Sequence, residues 1–252
     1  MPAIDTITSA AADDDYRSSH VASGDTYDAR LADSPFDNYM AAWEQRLLPG
    51  LIRRFYPDGI DRYLDFACGT GRITQQIAPL AKHSTAVDIS PGMLEQARAK
   101  CPDTRFLVAD LTQDSIDIGQ FDLASAFRFF GNAQDELREG ALGAIVRRLA
   151  PGGHLLINSH RNPRAFYAVF EKMTGGTAMA GMDLTLPKLR GLLERHGLEI
   201  VALRPIGAWM YRTRIMLTTQ PDAPRALRNE ALFSSPLFGP IAPDALIVAR
   251  KR

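Results

Sequence analysis

From Phe36 onward, apolar residues recur three and four apart: Met40, Trp43, Leu47, Leu51 and Phe55 share one face and predict a helix. Pro49 stands inside that stretch and predicts a kink or a split into two helices. After the punctuating "YPDG" the texture changes. "RYLDFA", "STAVDI", "RFLVAD", "FDLASAF" and "HLLINS" are short apolar runs of strand length. Helical stretches separate several of them: residues 72–81, a helix capped by Ser90 with Pro91 in its first turn and running to Lys100, and an amphipathic segment over 134–149 that "APGG" stops. "TLPKLRGLLERHGLEIVALRPI" follows as a helix, a stop at Gly197 and a sixth strand, and "DALIVARKR" as a seventh. Strands alternating with helices predict an α/β fold with a doubly wound, mostly parallel sheet, and such sheets bind ligands at the carboxyl ends of their strands. Each interesting residue should therefore lie just after a strand.

Three regions depart from this rhythm. Residues 1–20 are small, polar and acidic and predict a disordered tail, with one domain over 21–252. Residues 160–182, and about 207–240 with Trp209, Tyr211, Phe233 and Phe238 among Pro and Gly, predict irregular segments covering the site.

Composition narrows the classes. Among 252 residues, 29 bases balance 29 acids, so charge gives no sign of a nucleic-acid or membrane partner. Two cysteines, Cys68 and Cys101, make neither a disulfide framework nor a zinc site and point to a reducing, cytoplasmic setting. The first twenty residues lack the basic start and apolar stretch of a signal peptide, and no run reaches the roughly 18 apolar residues a membrane helix needs. The oligomeric state is not legible, because apolar helix stripes serve an intramolecular core equally well.

The candidate chemistry starts at "LDFACGTGRIT". Gly69 and Gly71 let a ligand approach the backbone, between a strand and the free N–H groups of a helix start. The third glycine of a dinucleotide fingerprint is replaced by Thr74, which counts against a nicotinamide cofactor. Asp88 ends the second strand, where an acid accepts both hydroxyls of a ribose; a turn or helix-capping aspartate is the competing reading. Ile89 and Met93 suit an adenine face. Asp110, after the third strand, suits an adenine amino group, with Leu111 offering its amide; here too a turn acid competes.

In order and spacing, "LDFACGTGR", "AVDISPGMLEQAR", "FLVADL" and "FDLASAF" resemble the class I S-adenosylmethionine-dependent methyltransferases, over about residues 60–160, roughly 40% of the chain. The resemblance implies a Rossmann-like seven-stranded sheet with N-terminal helices and a cap. It implies that S-adenosylmethionine is the cofactor and S-adenosylhomocysteine the product. Asp65 would orient the glycine loop and reach the methionine amino group. Ala67, in place of the more usual first glycine, would line the methionine and ribose with Gly69 and Gly71. Asp88 would hold the ribose, Ile89 and Met93 flank adenine, and Asp110 and Leu111 address its edge. Phe127 and Arg128 would lie beside the methyl group. Arg72 and an upstream aromatic, Tyr27, would meet the methionine carboxylate.

An activated methyl donor asks the protein mainly for alignment and exclusion of water. His160, beyond the fifth strand, is the candidate base. Arg128, Arg161, Arg164, Arg212 and Arg214 would suit an anionic acceptor, and Trp209 and Tyr211 a planar one; solvated arginines and a packed cap are the plainer alternatives. "FRFF" stands where amino-directed nucleic-acid methyltransferases carry a Pro-Pro motif, and no metal cluster is visible. The expectation is methylation of oxygen or nitrogen on a small molecule such as a specialised metabolite. The alternatives are non-methylating chemistry on the same cofactor, a binding module, or a nicotinamide oxidoreductase.

Overall fold

The computed structural model describes residues 34–114, 116–175 and 183–252. Tyr27 and the tail over 1–20 lie outside the described residues. Helix α1 (Pro35–Phe55) opens on Ser34, whose Oγ accepts the Asp37 N–H at 3.2 Å. It runs unbroken through Pro49, which corrects the expected split. A proline inside a helix costs about 3 kcal/mol. Tyr39, Met40, Trp43, Leu48 and Ile52 are buried on both sides of it, and each such side chain returns about 1.5–3 kcal/mol.

The core strands follow: β1 (Ile60–Phe66), β2 (Ala81–Asp88), β3 (Arg105–Val108), β4 (Phe121–Ala126), β5 (Leu149–Asn158), β6 (Leu198–Ile206) and β7 (Asp244–Lys251). They form one sheet in the order β3-β2-β1-β4-β5-β7-β6. All pairs are parallel except those of β7, which runs antiparallel to β5 and β6. Successive residues feed opposite layers, as the two-residue period of a strand requires. Leu64, Ala124, Leu155 and Ile247 enter the core beneath α4 (Asp135–Arg148) and α6 (Leu186–Arg195). Their neighbours Tyr63, Leu123, Leu156 and Leu246 enter the core beneath α1 and α5 (Phe166–Met173).

Three local expectations change. The helix over 72–81 shrinks to α2 (Thr74–Ile77) and a 3-10 turn (Ala78–Leu80), because β2 already begins at Ala81. Helix α3 (Pro91–Lys100) keeps its Ser90 cap. "APGG" does not precede the fifth strand but lies within it: Phe121 pairs with Leu149 and Leu123 with His154, so the turn residues are absorbed in an irregularity. The segment over 207–240 is largely helical, with α7 (Thr213–Thr218), α8 (Pro224–Leu232) and a 3-10 helix (Pro236–Ile241). These helices are too short, and too punctuated by proline, to show a period in sequence. No described helix is long and apolar enough to cross a membrane.

Candidate active site

The chain moves from β1 outward to β2 and β3, then returns to place β4 on the other side of β1. The strand order thus reverses between β1 and β4, where a crevice opens at the carboxyl ends. A cleft of about 910 Å³, its open mouth included, lies there. Its walls come from Asp65–Thr70 after β1, Val87–Ile89 after β2, Ala109–Thr112 after β3 and Phe127–Phe129 after β4.

Asp65 is 1% exposed. Thr74 Oγ1 and Ser125 Oγ each donate to it at 2.6 Å, and Tyr63 Oη lies 2.7 Å from Ser125 Oγ. Burial pushes the carboxyl up to about 6, while the hydroxyls draw it back. Thr74, which breaks the dinucleotide pattern, is therefore occupied in holding Asp65. Asp88 ends β2 with both oxygens engaged: Oδ2 accepts the Gly69 N–H at 2.8 Å and Oδ1 the Ser90 N–H at 2.9 Å. It ties the glycine loop to the start of α3 and lines the cleft. Asp110 Oδ1 accepts from the N–H and hydroxyl of Thr112, at 2.9 and 2.6 Å, and still lines the cleft. Ile89, Met93 and Leu111 supply apolar wall.

The two glycines do different work. Gly69 faces the cleft. Gly71 is not among the lining residues: a Cβ on it would come within 3.0 Å of Ala97 Cβ, so its missing side chain admits α3 rather than a ligand. Ala67 keeps the left-handed backbone of the glycine it replaces, at φ 54°. Among the described residues Arg128 (φ 56°) and Arg161 (φ 59°) share this conformation. The three follow β1, β4 and β5, which are adjacent in the sheet, so backbone strain is concentrated along one edge.

Charges behind the cleft come from α1. Arg72 Nη1 lies 2.5 Å from Glu44 Oε2, and Arg128 Nη1 lies 2.9 Å from Asp37 Oδ1. Burial alone would raise Asp37, but the Arg128 guanidinium beside it outweighs burial and holds the carboxyl below its usual value. Asn158 Nδ2 donates to Glu44 and Asp244, both at 3.1 Å, and its Oδ1 accepts the Arg128 N–H at 2.7 Å. Sequence reading missed this support. Its trace was two acids seven residues apart, Asp37 and Glu44, on the apolar stripe of α1.

The residues chosen for the acceptor mostly fall elsewhere. His160 is 3% exposed and does not line the cleft. Its Nδ1 lies 3.2 Å from Asp244 Oδ2 and its Nε2 3.7 Å from Asp37 Oδ1. Burial, then Arg128, pushes it down to about 3. It is a neutral ring inside a carboxylate network, and the expected position facing the ligand is corrected. Trp209 is buried in the core, and its Nε1–H donates to Glu230 at 3.0 Å, so no open face is presented. Tyr211 is exposed beside Phe166, and Arg164, Arg212 and Arg214 are exposed too. Among the described residues of 160–182 and 207–240, none lines the cleft.

The sheet order and the acid-bearing cleft define a protein of the doubly wound α/β class that takes a nucleoside-bearing cofactor. A family model described as a methyltransferase domain matches residues 64–153. A demethylmenaquinone methyltransferase of Thermus thermophilus is 37% identical over 182 residues, covering 69% of this chain and 74% of that protein. Its counterpart in Tropheryma whipplei is 29% identical over 134 residues, covering 53% of each. The chain thus spans about half the length of several curated relatives it matches. The fold is shared with N-methyltransferase NodS of Bradyrhizobium japonicum, crystallised with S-adenosylhomocysteine, at TM-score 0.57 and 19% identity over 94% of this chain and 99% of that one. The chain belongs to the class I S-adenosylmethionine-dependent methyltransferase family.

Proposed function

We propose that this protein transfers a methyl group from S-adenosylmethionine to a small-molecule acceptor. The observation that carries it is the row of acids Asp65, Asp88 and Asp110 around one cleft with apolar walls between them. Their order, after β1, β2 and β3 in turn, matches the cofactor's ammonium, ribose diol and adenine amino group. Bound there, the cofactor supplies a methyl group already activated on sulfur. Asp65 pairs with the ammonium, Asp88 accepts from the ribose hydroxyls, Ile89, Met93 and Leu111 enclose the base, and Phe127 and Arg128 shape the wall beside the methyl. The described chain contributes position and dryness, and no base is assigned. Balanced charge supports a small acceptor over nucleic acid, and free Cys68 and Cys101 support a cytoplasmic setting.

Calorimetric titration with S-adenosylmethionine, S-adenosylhomocysteine and NAD tests this. Micromolar binding of the two sulfur nucleotides alone is expected; binding of NAD alone overturns it.

The raised Asp65 carboxyl adds a pH signature. Above about pH 7 it is ionised and pairs with the ammonium; below about 5 it is protonated. Affinity for S-adenosylhomocysteine should fall about tenfold per pH unit under that window. The fold gains from the same protonation, because the folded group binds its proton more tightly than the unfolded one at its ordinary 3.8. Protonating Asp65 therefore weakens binding without itself destabilising the fold. Asp65→Asn should bind weakly at every pH; a retained slope in that variant removes the role.

A further inference from the structure

Two bases stand among the described walls of the cleft, Arg72 and Arg128. The cofactor and its product each carry one anionic group, the carboxylate of the amino-acid end, and their adenosine end carries none. Charge complementarity therefore brings that carboxylate to this pair. Behind the pair, each guanidinium is held by a buried acid of α1. Arg72 Nη1 lies 2.5 Å from Oε2 of Glu44, and Arg128 Nη1 lies 2.9 Å from Oδ1 of Asp37.

One side chain joins the two arginines. Asn158 ends β5 and is 1% exposed, and both ends of its amide are bonded. Nδ2 donates to Glu44 through Oε1, the oxygen opposite the one at Arg72, and to Asp244 Oδ2, each at 3.1 Å. Oδ1 accepts the Arg128 N–H at 2.7 Å. Asn132 Nδ2 donates to the Arg128 carbonyl at 2.5 Å. Arg128 is thus held at both ends of its backbone, in a left-handed conformation (φ 56°) that persists only under such support. The position demands an amide. It has to donate to two buried carboxylates and accept an N–H, which an ionised aspartate and an apolar side chain both fail to do.

We propose that Asn158 is a positioning residue for the cofactor: by joining Glu44, behind Arg72, to the backbone of Arg128, it sets the two bases that receive the cofactor's carboxylate. This rests on the methyl-transfer reading, which supplies the ligand. Asn158 does not line the cleft, so it acts through the two arginines and not by contact.

The probes are S-adenosylhomocysteine, its carboxamide, which lacks the carboxylate charge, and 5′-methylthioadenosine, which lacks the amino-acid end. They are titrated calorimetrically into the full chain at pH 7, with melting curves to check the fold. The wild type should bind S-adenosylhomocysteine ten or more times tighter than the carboxamide. Asn158→Ala should lower that ratio at least fivefold and leave affinity for 5′-methylthioadenosine within twofold, whereas a merely structural asparagine would weaken all three ligands alike. Asn158→Asp gives a second readout. The charged and titratable groups around it are Glu44 and Asp37 from α1, Asp244 from β7, Arg72 after β1, Arg128 after β4 and His160 after β5. Glu44 and Asp244 are the two in contact with its Nδ2 position, and they favour the protonated carboxyl, which donates again to one of them. Divided by the wild-type ratio at the same pH, which cancels titration of Asp65 and of the ligands' amino groups, its ratio should be low at pH 8 and rise severalfold at pH 6. An unmoved ratio or an equal loss of all three ligands in Asn158→Ala overturns the proposal. So does a wild type that binds S-adenosylhomocysteine and its carboxamide alike, or an Asn158→Asp ratio that is flat between pH 8 and 6. If Asn158→Ala does not fold, Asn158→Asp decides alone. Failure of the wild type to bind S-adenosylhomocysteine overturns the methyl-transfer reading and this proposal together; binding with an unmoved ratio overturns this proposal alone.

Discussion

Asp88→Ala should lower affinity for S-adenosylhomocysteine at least a hundredfold while leaving a folded protein. The carboxylate does two things at once. It accepts the backbone N–H groups of Gly69 and Ser90, at 2.8 and 2.9 Å, and so fixes the loop after β1 against the start of α3. It also lines the cleft, where the ribose diol would donate to it. Hydrogen bonds to a charged group contribute about 1.5–3 kcal/mol each, and a hundredfold loss is about 2.7 kcal/mol. Calorimetry reads the affinity and a melting curve the fold. Asp88→Asn separates the roles: an amide still accepts one backbone N–H through its oxygen but loses the charge. Unchanged affinity in Asp88→Ala would leave this residue a turn aspartate and nothing more.

Glu230→Ala should produce the largest loss of stability, about 3–5 kcal/mol. Its Oε1 accepts from Tyr39 Oη at 2.8 Å, the Gly207 N–H at 2.8 Å and Trp209 Nε1–H at 3.0 Å. One carboxylate on α8 thereby joins α1 to the chain leaving β6. Burial raises its carboxyl, so ionisation there is costly, and that cost is relieved in the variant. The three donors are left buried without an acceptor, at about 1–3 kcal/mol apiece. For a chain of this size each kcal/mol lowers the melting temperature by about 2–4 °C, so a fall of roughly 6–20 °C is expected. Tyr39→Phe removes a single bond and should cost about 1 kcal/mol. Equal effects of the two variants would mean that the shared acceptor is not what holds the insertion.

The two variants sample different distances along the chain. Asp88 is legible because its partners are near or motif-bound: Ser90 is two residues away and Gly69 belongs to the loop that announces the site. The strands of the parallel core are legible for a similar reason, since a strand buried on both faces reads as an apolar run with small residues at its exit. Gly71 shows the limit. Its glycine was read as a place where a ligand comes close, whereas the packing of α3 shows that Ala97 is what approaches. His160 shows it more sharply. Its place after a strand is local information, whereas its burial depends on Asp37, 123 positions earlier, and Asp244, 84 positions later.

The sequence by itself determined the order of the seven strands, the ligand-bearing edge of the sheet and the acids that ring the cleft, because each is written in a period or a spacing of a few residues. The tertiary structure alone decided which charges meet. Glu44 with Arg72, Asp37 with Arg128 and Arg161, and Glu230 with Tyr39 and Trp209 join residues 21 to 191 positions apart. No local pattern encodes such a pairing. A buried ion keeps its charge only where the fold brings a partner to it, and that partner is chosen by how α1 and α8 pack on the sheet.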